Sequence, residues 1–287
     1  MRPFDLAVGN CPETAQHRQA IFADSVISKP AIARANLAVS TSAPAGSPES
    51  KTSELKDYTV LQQHVLFWDR DADGEIFPWD TYVGFRDLGF NMLFSLLAAF
   101  VINVGFSYPT RLALSWLPDP WFRVYVRGIH KAKHGSDTGV YDREGRFVPQ
   151  LFEDMFSKWD VHGSRSLSAV ELWSMIKGHR LAGDPFGVYY VLLSLGPLRY
   201  PALCVILPLA VAADVVQWGA AFFEWGTTWL MAQKNGRVSK EDVRQTYDGS
   251  IFWKIKEARE HGKGWNKGFG PRDLIDFGRR QYKTFVM

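Results

Sequence analysis

The sequence predicts a mainly α-helical protein built from helix–loop–helix units. One unit is competent to hold a metal ion and the others are degenerate. Short paired strands join the units, and an apolar helical hairpin suits contact with a membrane or lipid. Three observations predict this architecture: an acidic run from Asp69 to Asp80, echoes of that run further along the chain, and a charge-free stretch from Leu88 to Thr110. Hydrophobic content of 46% over 287 residues is enough for a folded core. A net charge of +3, with no basic stripe interleaved with aromatics, is compatible with an anionic membrane surface and gives no support to nucleic-acid binding. Cys11 and Cys204 form no disulfide framework, so a reducing compartment is the default. The N-terminus lacks a continuous apolar stretch, so a secretory signal is not expected.

The first 56 residues are rich in Ser, Ala, Pro and Thr, bury little apolar surface, and are expected to form a disordered tail apart from a short amphipathic helix near Thr14 to Ile27. Order begins near Tyr58, where Val60, Leu61, His64, Val65 and Trp68 recur at helical spacing. This helix enters the acidic run, and Trp79, Tyr82, Val83, Phe85 and Leu88 continue as the helix leaving it. Residues 57–88 therefore form the first unit.

The run itself reads Asp69-Arg-Asp71-Ala-Asp73-Gly74-Glu75-Ile76-Phe77-Pro78-Trp79-Asp80. It is a calcium loop of the EF-hand type. Ca²⁺ takes about six to eight oxygens from a loop that turns sharply. Asp69, Asp71 and Asp73 offer carboxylates at loop positions 1, 3 and 5, and Gly74 permits the turn at position 6. Glu75 offers its backbone carbonyl at position 7. Ile76 at position 8 joins a short strand to the core. Asp80 stands at position 12, where the motif wants a bidentate Glu. Asp is one methylene shorter, which predicts weaker Ca²⁺ binding and less discrimination against Mg²⁺.

Three echoes follow. Residues 142–149 repeat the acidic pair, Gly145, an apolar pair and Pro149, but Val140 and Leu151 fall at positions 1 and 12, so this copy should hold no metal. A third begins at Asp160, with Ser164, Leu167 and Glu171 at positions 5, 8 and 12 and Arg165 in place of the glycine. A fourth places Gly236, Val238, Ser239 and Asp242 at positions 6, 8, 9 and 12. Such loops work in pairs through their position-8 strands, so Glu75 to Phe77 is predicted to pair antiparallel with Arg146 to Val148.

Residues 89–121 form the apolar segment. Its charge-free part is about long enough to span a hydrocarbon core. Pro109, Pro118 and Pro120 should stop the helix and turn the chain, giving a hairpin suited to a lipid monolayer. Residues 122–260 carry the degenerate units. Within them Val188 to Gln217 is an apolar insert broken by Pro197, Pro201 and Pro208. It is either a second lipid contact or an intron translated in error, since Val codons begin GT and one Gln codon is CAG. Residues 261–287 form a tail in which Gly262 to Phe269 alternate Gly, Lys and aromatic residues, suited to loose surface binding.

Of the histidines, His130 and His134 lie four apart, a spacing that also suits zinc on one helix face, but no adjacent Glu or third ligand supports zinc. Spacing alone does not lead to haem, because the Cys-x-x-Cys-His attachment motif is absent.

Longer motifs do lead there. Leu61-Gln-Gln-His64-Val, Gly84-Phe-Arg-Asp-Leu-Gly-Phe-Asn91, Ile129-His-Lys-Ala-Lys-His-Gly-Ser-Asp137, Tyr141-Asp-Arg-Glu-Gly-Arg-Phe147, Phe156-Ser-Lys-Trp159 and Asp248-Gly-Ser-Ile-Phe252 strongly resemble the caleosin/peroxygenase family over roughly Tyr58 to Arg259. The resemblance implies a calcium-binding haem protein, with haem b and Ca²⁺ as cofactors. It also implies an oxidoreductase that passes oxygen from a fatty-acid hydroperoxide to unsaturated fatty acids or other apolar acceptors, a monooxygenase-type activity. The family's two haem histidines fall on His64 and His134, here taken as the distal group and the proximal ligand. The resemblance further implies a lipid droplet or endoplasmic reticulum membrane as partner, facing the cytosol; self-association stays open. The Leu117-Pro-Asp-Pro120 turn is a shortened form of the family's proline knot. The competing function is a non-catalytic, calcium-binding structural protein of lipid droplets. Only the catalytic reading requires His64, His134 and a Soret band.

Overall fold

A computed structural model of the protein describes residues 20, 23–47, 55–133, 137–179 and 223–259. Among these the structure is mainly helical, with few, short strands. A four-residue helix α1 (Ala23–Val26) comes first. Helix α2 (Val60–Val65) starts at a capping box, in which Thr59 Oγ1 accepts from Gln62 N at 3.3 Å and Gln62 Oε1 accepts from Thr59 N at 2.8 Å. Strand β1 (Glu75–Ile76) leads into α3 (Pro78–Asp87), whose first residue is a proline, with its ring pre-set for a helical start. Helix α4 (Met92–Arg111) is capped by Asn91, whose side chain accepts from Phe94 N at 2.9 Å. Strand β2 (Val124–Tyr125) runs into a 3₁₀ helix over Val126–Ala132. Helix α5 (Pro149–Trp159) again begins on proline. Strand β3 (Ser166–Ser168) and α6 (Ala169–His179) follow, then a helix α7 over residues 223–232. Strand β4 (Arg237–Ser239), α8 (Lys240–Tyr247) and α9 (Ser250–Arg259) complete the described chain.

The main core gathers the inward faces of these helices. Phe152, Met155, Phe156 and Trp159 of α5 recur at helical spacing and are buried together with Leu167, Leu172, Val238 and Val243. A smaller cluster of Ile76, Val124, Val126 and Ile129 sits beneath β1 and β2.

The strand pairing differs from the expected one. Strand β1 pairs antiparallel with β2, Ile76 facing Val124, and not with residues 146–148. Phe147 bridges instead to Arg34 and to Tyr141. Residues 124–126 read Val-Tyr-Val, β-branched and aromatic residues that favour an extended chain beside the loop. The pairing rule holds for the third and fourth echoes: β3 and β4 are antiparallel, with Leu167 opposite Val238, both at loop position 8.

Residues 23–47, expected in a loose tail, are packed: Ala23, Ile27, Ala38, Val39 and Ser40 are buried. Composition missed this because the segment is held by polar bonds rather than by a large apolar face. The buried guanidinium of Arg244 donates to Ala38 O at 2.7 Å, Ser47 Oγ at 2.6 Å and Asp248 Oδ2 at 2.8 Å. Val60 N donates to Ala35 O at 2.9 Å and Gln63 Nε2 to Asn36 O at 2.9 Å, so the segment also braces α2.

The apolar segment forms one helix, α4, and not a helical hairpin; the chain after it returns as turns and β2. Among the described residues α4 is the one helix long and apolar enough to cross a membrane by length and composition. Its faces are distributed inside out. Ser95, Asn103, Ser107 and Thr110 are buried against the protein, whereas Leu93, Leu96, Leu97, Phe100, Val101, Val104 and Tyr108 are exposed along one face. Asn103 Nδ2 donates to Ile76 O at 3.1 Å and to Phe122 O at 3.0 Å, and Tyr125 N donates to Thr110 Oγ1 at 3.1 Å. The polar side chains thus fasten α4 to β1 and β2. The insert at 188–217 lies outside the described residues.

Candidate metal loop and histidine site

The turn between α2 and β1 folds around its first aspartate. Asp69 Oδ1 accepts from Asp73 N at 3.1 Å and Oδ2 from Gly74 N at 3.0 Å. Gly74 has φ +84°, a left-handed conformation in which glycine carries no Cβ penalty. Asp73 Oδ1 accepts from Glu75 N at 2.8 Å, and Asp80 Oδ2 accepts from Phe77 N at 3.0 Å. Asp69, Asp71 and Asp73 each bring a carboxylate oxygen within 4.8 Å of the others. Oxygen donors gathered this way suit a hard divalent cation. Among the described residues, no Lys or Arg forms an ion pair with these three.

The other two expected ligands are placed differently. The Glu75 carboxylate turns away to Arg123 Nη1 at 2.7 Å, which leaves only its carbonyl for position 7. Asp80 is outside the three-residue group and its carboxylate closes the start of α3. Burial pushes the Asp69 carboxyl above its ordinary value; the N–H bonds from Gly74 and Asp73 oppose this, while the charges of Asp73 and Asp71 add to it. Burial also raises Asp80, against the bond from Phe77 N.

His64 sits in the last turn of α2, five residues before Asp69. Its Nδ1 lies 2.7 Å from the Thr246 carbonyl at the end of α8. A carbonyl only accepts, so Nδ1 carries the proton. In the neutral ring, Nε2 then keeps its lone pair and is free to act as a base or a metal ligand. The ring is walled by Phe252, with centroids 5.3 Å apart, and by Trp68 at 6.1 Å. The backbone of the α8–α9 turn approaches as closely: a Cβ on Gly249 would lie 2.8 Å from Gln63 O and 2.9 Å from His64 Cα. Trp68 carries the contact onward. A Cβ on Gly84 of α3 would lie 2.3 Å from its ring, and its indole packs on Phe85 and Phe252. The residue that precedes Asp69 therefore wedges between α3 and the imidazole.

His134 lies outside the described residues, so its distance from His64 is not part of this geometry. His130 lies in the 3₁₀ helix. The donor chemistry of His64 fits a haem ligand: an imidazole whose Nδ1 is tied to a carbonyl, leaving Nε2 for the iron, in an aromatic setting.

The family model described as "Caleosin related protein" matches residues 56–198 and 207–256. The chain belongs to the caleosin/peroxygenase family. Its break at 199–206 falls inside the apolar insert. The chain is 33% identical to a peroxygenase of Lilium longiflorum over 86% of its own length and 90% of the relative's. It is 36% identical to "Probable peroxygenase 4" of Arabidopsis thaliana over 69% of this chain and 86% of that one. A "Probable inactive peroxygenase-like protein" of Arabidopsis thaliana is 27% identical over 64% of the chain. No solved structure matches. On the two fuller relatives the protein is an enzyme of the peroxygenase class, an oxidoreductase.

Sequence reasoning had no access to the Thr246 carbonyl, because a backbone acceptor leaves no residue-type signal. The Asp248-to-Phe252 motif did carry one: it supplies Gly249 and Phe252, both against His64. Arg123, which Glu75 shares with Asp119, lies 48 residues from Glu75 in sequence and carried no signal there.

Proposed function

We propose that the protein is a calcium-dependent haem peroxygenase working at the cytosolic surface of a lipid droplet or the endoplasmic reticulum, and that it acts on fatty-acid hydroperoxides and unsaturated lipids. The bond from His64 Nδ1 to Thr246 O carries this reading, because it fixes the tautomer a haem ligand or proton-handling base needs. Bound haem supplies the oxygen transfer from hydroperoxide to an apolar acceptor. The chain's own part is to orient the imidazole, hold its proton on Nδ1, and keep water from its flanks with Trp68 and Phe252. This tautomer suits either role: His64 would hold the haem iron or handle the hydroperoxide proton, with His134 taking the other part.

Calcium enters through two short paths. Asp69, Asp71 and Asp73 would hold the ion, with the Glu75 carbonyl and Asp80 completing an EF-hand. Trp68 joins this loop to His64, and Asn103 joins Ile76 of the loop to α4. Losing the ion would loosen both. Beyond the exposed face of α4, Trp116, Leu117, Trp121 and Phe122 are also exposed, Trp116 by 86% and Leu117 by 74%. A contiguous apolar surface with an aromatic border is what an interfacial helix presents to lipid. Because the opposite face of α4 is packed on the protein, the helix is expected to lie in the plane of the lipid surface.

The test is an absorption spectrum of hemin-loaded protein. His64→Ala should lose or shift the Soret band and abolish oxygen transfer, while the wild type keeps both. Retention of the wild-type band and activity in His64→Ala and in a His64→Ala/His134→Ala double variant would overturn the assignment. A non-catalytic lipid coat would use α4 and the loop alone, and its spectrum would stay silent in the wild type.

A further inference from the structure

The degenerate loop at 160–171 is folded like the acidic one. Asp160 Oδ1 accepts from Ser164 N at 2.9 Å and Oδ2 from Arg165 N at 2.7 Å. These are positions 5 and 6, the same two bonds Asp69 makes. Glu171 Oε2 accepts from Ser168 N at 2.8 Å, as Asp80 does from Phe77, joining positions 12 and 9. Arg165 holds φ +55° at the position of Gly74. The loop thus keeps a cation-binding backbone while lacking the acidic residues at positions 3 and 5.

A cation nevertheless lies among its ligands. Arg237, at position 7 of the facing loop, reaches across the β3–β4 pair. Its Nη2 donates to Ser164 Oγ at 2.6 Å, Ser166 O at 2.6 Å and Glu171 Oε2 at 2.9 Å. Those acceptors stand at positions 5, 7 and 12: two side chains and the carbonyl that a loop of this type turns on its ion. Nε adds a bond to Ser166 Oγ at 2.6 Å, and Ser164 Oγ relays to Asp160 Oδ1 at 3.0 Å. Glu171 is buried. Without a positive partner its charge and the inward carbonyl would be left without their strongest donor.

We propose that the guanidinium of Arg237 is the built-in cation of the 160–171 loop, holding the β3–β4 pair closed without metal. The planar fork matches several oxygens at once, which a lysine ammonium on a flexible stem does not. The consequence is functional. One loop pair is locked by a side chain, so any response to calcium is confined to the other. The 160–171 cage is a latent metal site, masked in the native chain and open to Ca²⁺ once the arginine is removed.

The test uses the full chain with the first loop silenced by Asp69→Ala and Asp73→Ala, so that its outcome is separate from the calcium reading of that loop. Adding Arg237→Ala should lower the melting temperature in chelator by about 5 °C. It should also create two new properties: recovery of that loss in millimolar Ca²⁺, and one weakly bound calcium per chain by equilibrium dialysis. Arg237→Lys should lose part of the stability and gain no calcium. An Arg237→Ala protein that melts as its parent does, or that binds no calcium, would overturn the proposal. Should Arg237→Ala fail to fold with or without calcium, Arg237→Ala/Glu171→Gln decides. The neutral amide relieves the buried charge, so that protein should fold; its failure to fold would assign Arg237 to packing alone.

Discussion

In the loop at 69–80 the first aspartate accepts from the backbone N–H of positions 5 and 6, and in the loop at 160–171 Asp160 does the same. In both, the carboxylate at position 12 accepts from the N–H at position 9. The centres differ. Three carboxylates converge in the first loop, and the Glu75 carboxylate is turned away to Arg123, leaving its carbonyl for position 7. In the second loop His162 and Ser164 stand at positions 3 and 5 in place of aspartates, and Arg237 reaches among the remaining oxygens. The backbone therefore does not decide whether such a loop answers to a metal ion; the charge left over inside it does. One copy is short of positive charge and the other carries its own.

The sharpest way to break this contrast is to remove an aspartate from each loop. Asp73→Ala should weaken calcium binding by about a hundredfold or more, given the dependence of such sites on ligand charge count. Asp160→Ala should leave calcium affinity unchanged and lower thermal stability. Titration calorimetry and a melting curve for each variant separate the two outcomes; equal effects on calcium would erase the distinction. Next in size is Asp80→Glu. The longer side chain can reach the ion bidentately, so Ca²⁺ affinity should rise by about tenfold, equivalent to about 1.4 kcal/mol, with little gain for Mg²⁺.

The contrast was partly legible in the sequence. The acidic loop stood out in the sequence because Asp69, Asp71, Asp73 and Gly74 are each chemically distinctive; the structure gathers the three aspartates and leaves Asp80 outside that group. The position-8 pairing rule was applied to residues 146–148, where it failed; it holds instead between Leu167 and Val238 of the third and fourth echoes, a pair the sequence reading did not name. That failure has a physical cause: strand partners are chosen by packing, and Val124 lay beside Ile76 in a segment with no loop pattern. Two further features were hidden because they depend on distant partners. Ser47 looked like part of a disordered tail until Arg244 and Asp248 were placed beside it. Arg237 carries no signal in the sequence; only β4 brings it over Ser164 and Glu171. The charge-free run was read as lipid-facing, but only the burial of Asn103 and Thr110 distinguishes the attached face of α4 from the free one.

Smaller effects sharpen the comparison further. Arg165 adopts the left-handed conformation that Gly74 adopts at the same loop position, and an L side chain there costs about 1–2 kcal/mol. Arg165→Gly should recover about 1 kcal/mol of that after the added freedom of the unfolded chain, seen as a small rise in melting temperature. Gly74→Ala should move the first loop the opposite way. The helix leaving the second loop ends in a partly buried histidine, where α3 ends in Asp87. Burial, with a lesser contribution from Lys158, pushes His179 from 6.5 down to about 4. Unfolded chains bind this proton near pH 6.5 and the folded protein only near pH 4, so stability should fall as pH drops through that interval. His179→Phe should flatten the decline; an unchanged pH profile would remove His179 from the account.

The most direct measurement is the number of calcium ions bound per chain by the wild-type protein and by Asp73→Ala. The account predicts one ion in the wild type and none in the variant, with the haem spectrum of the wild type altered by chelator. Two ions in the wild type, or one that survives Asp73→Ala, would contradict it.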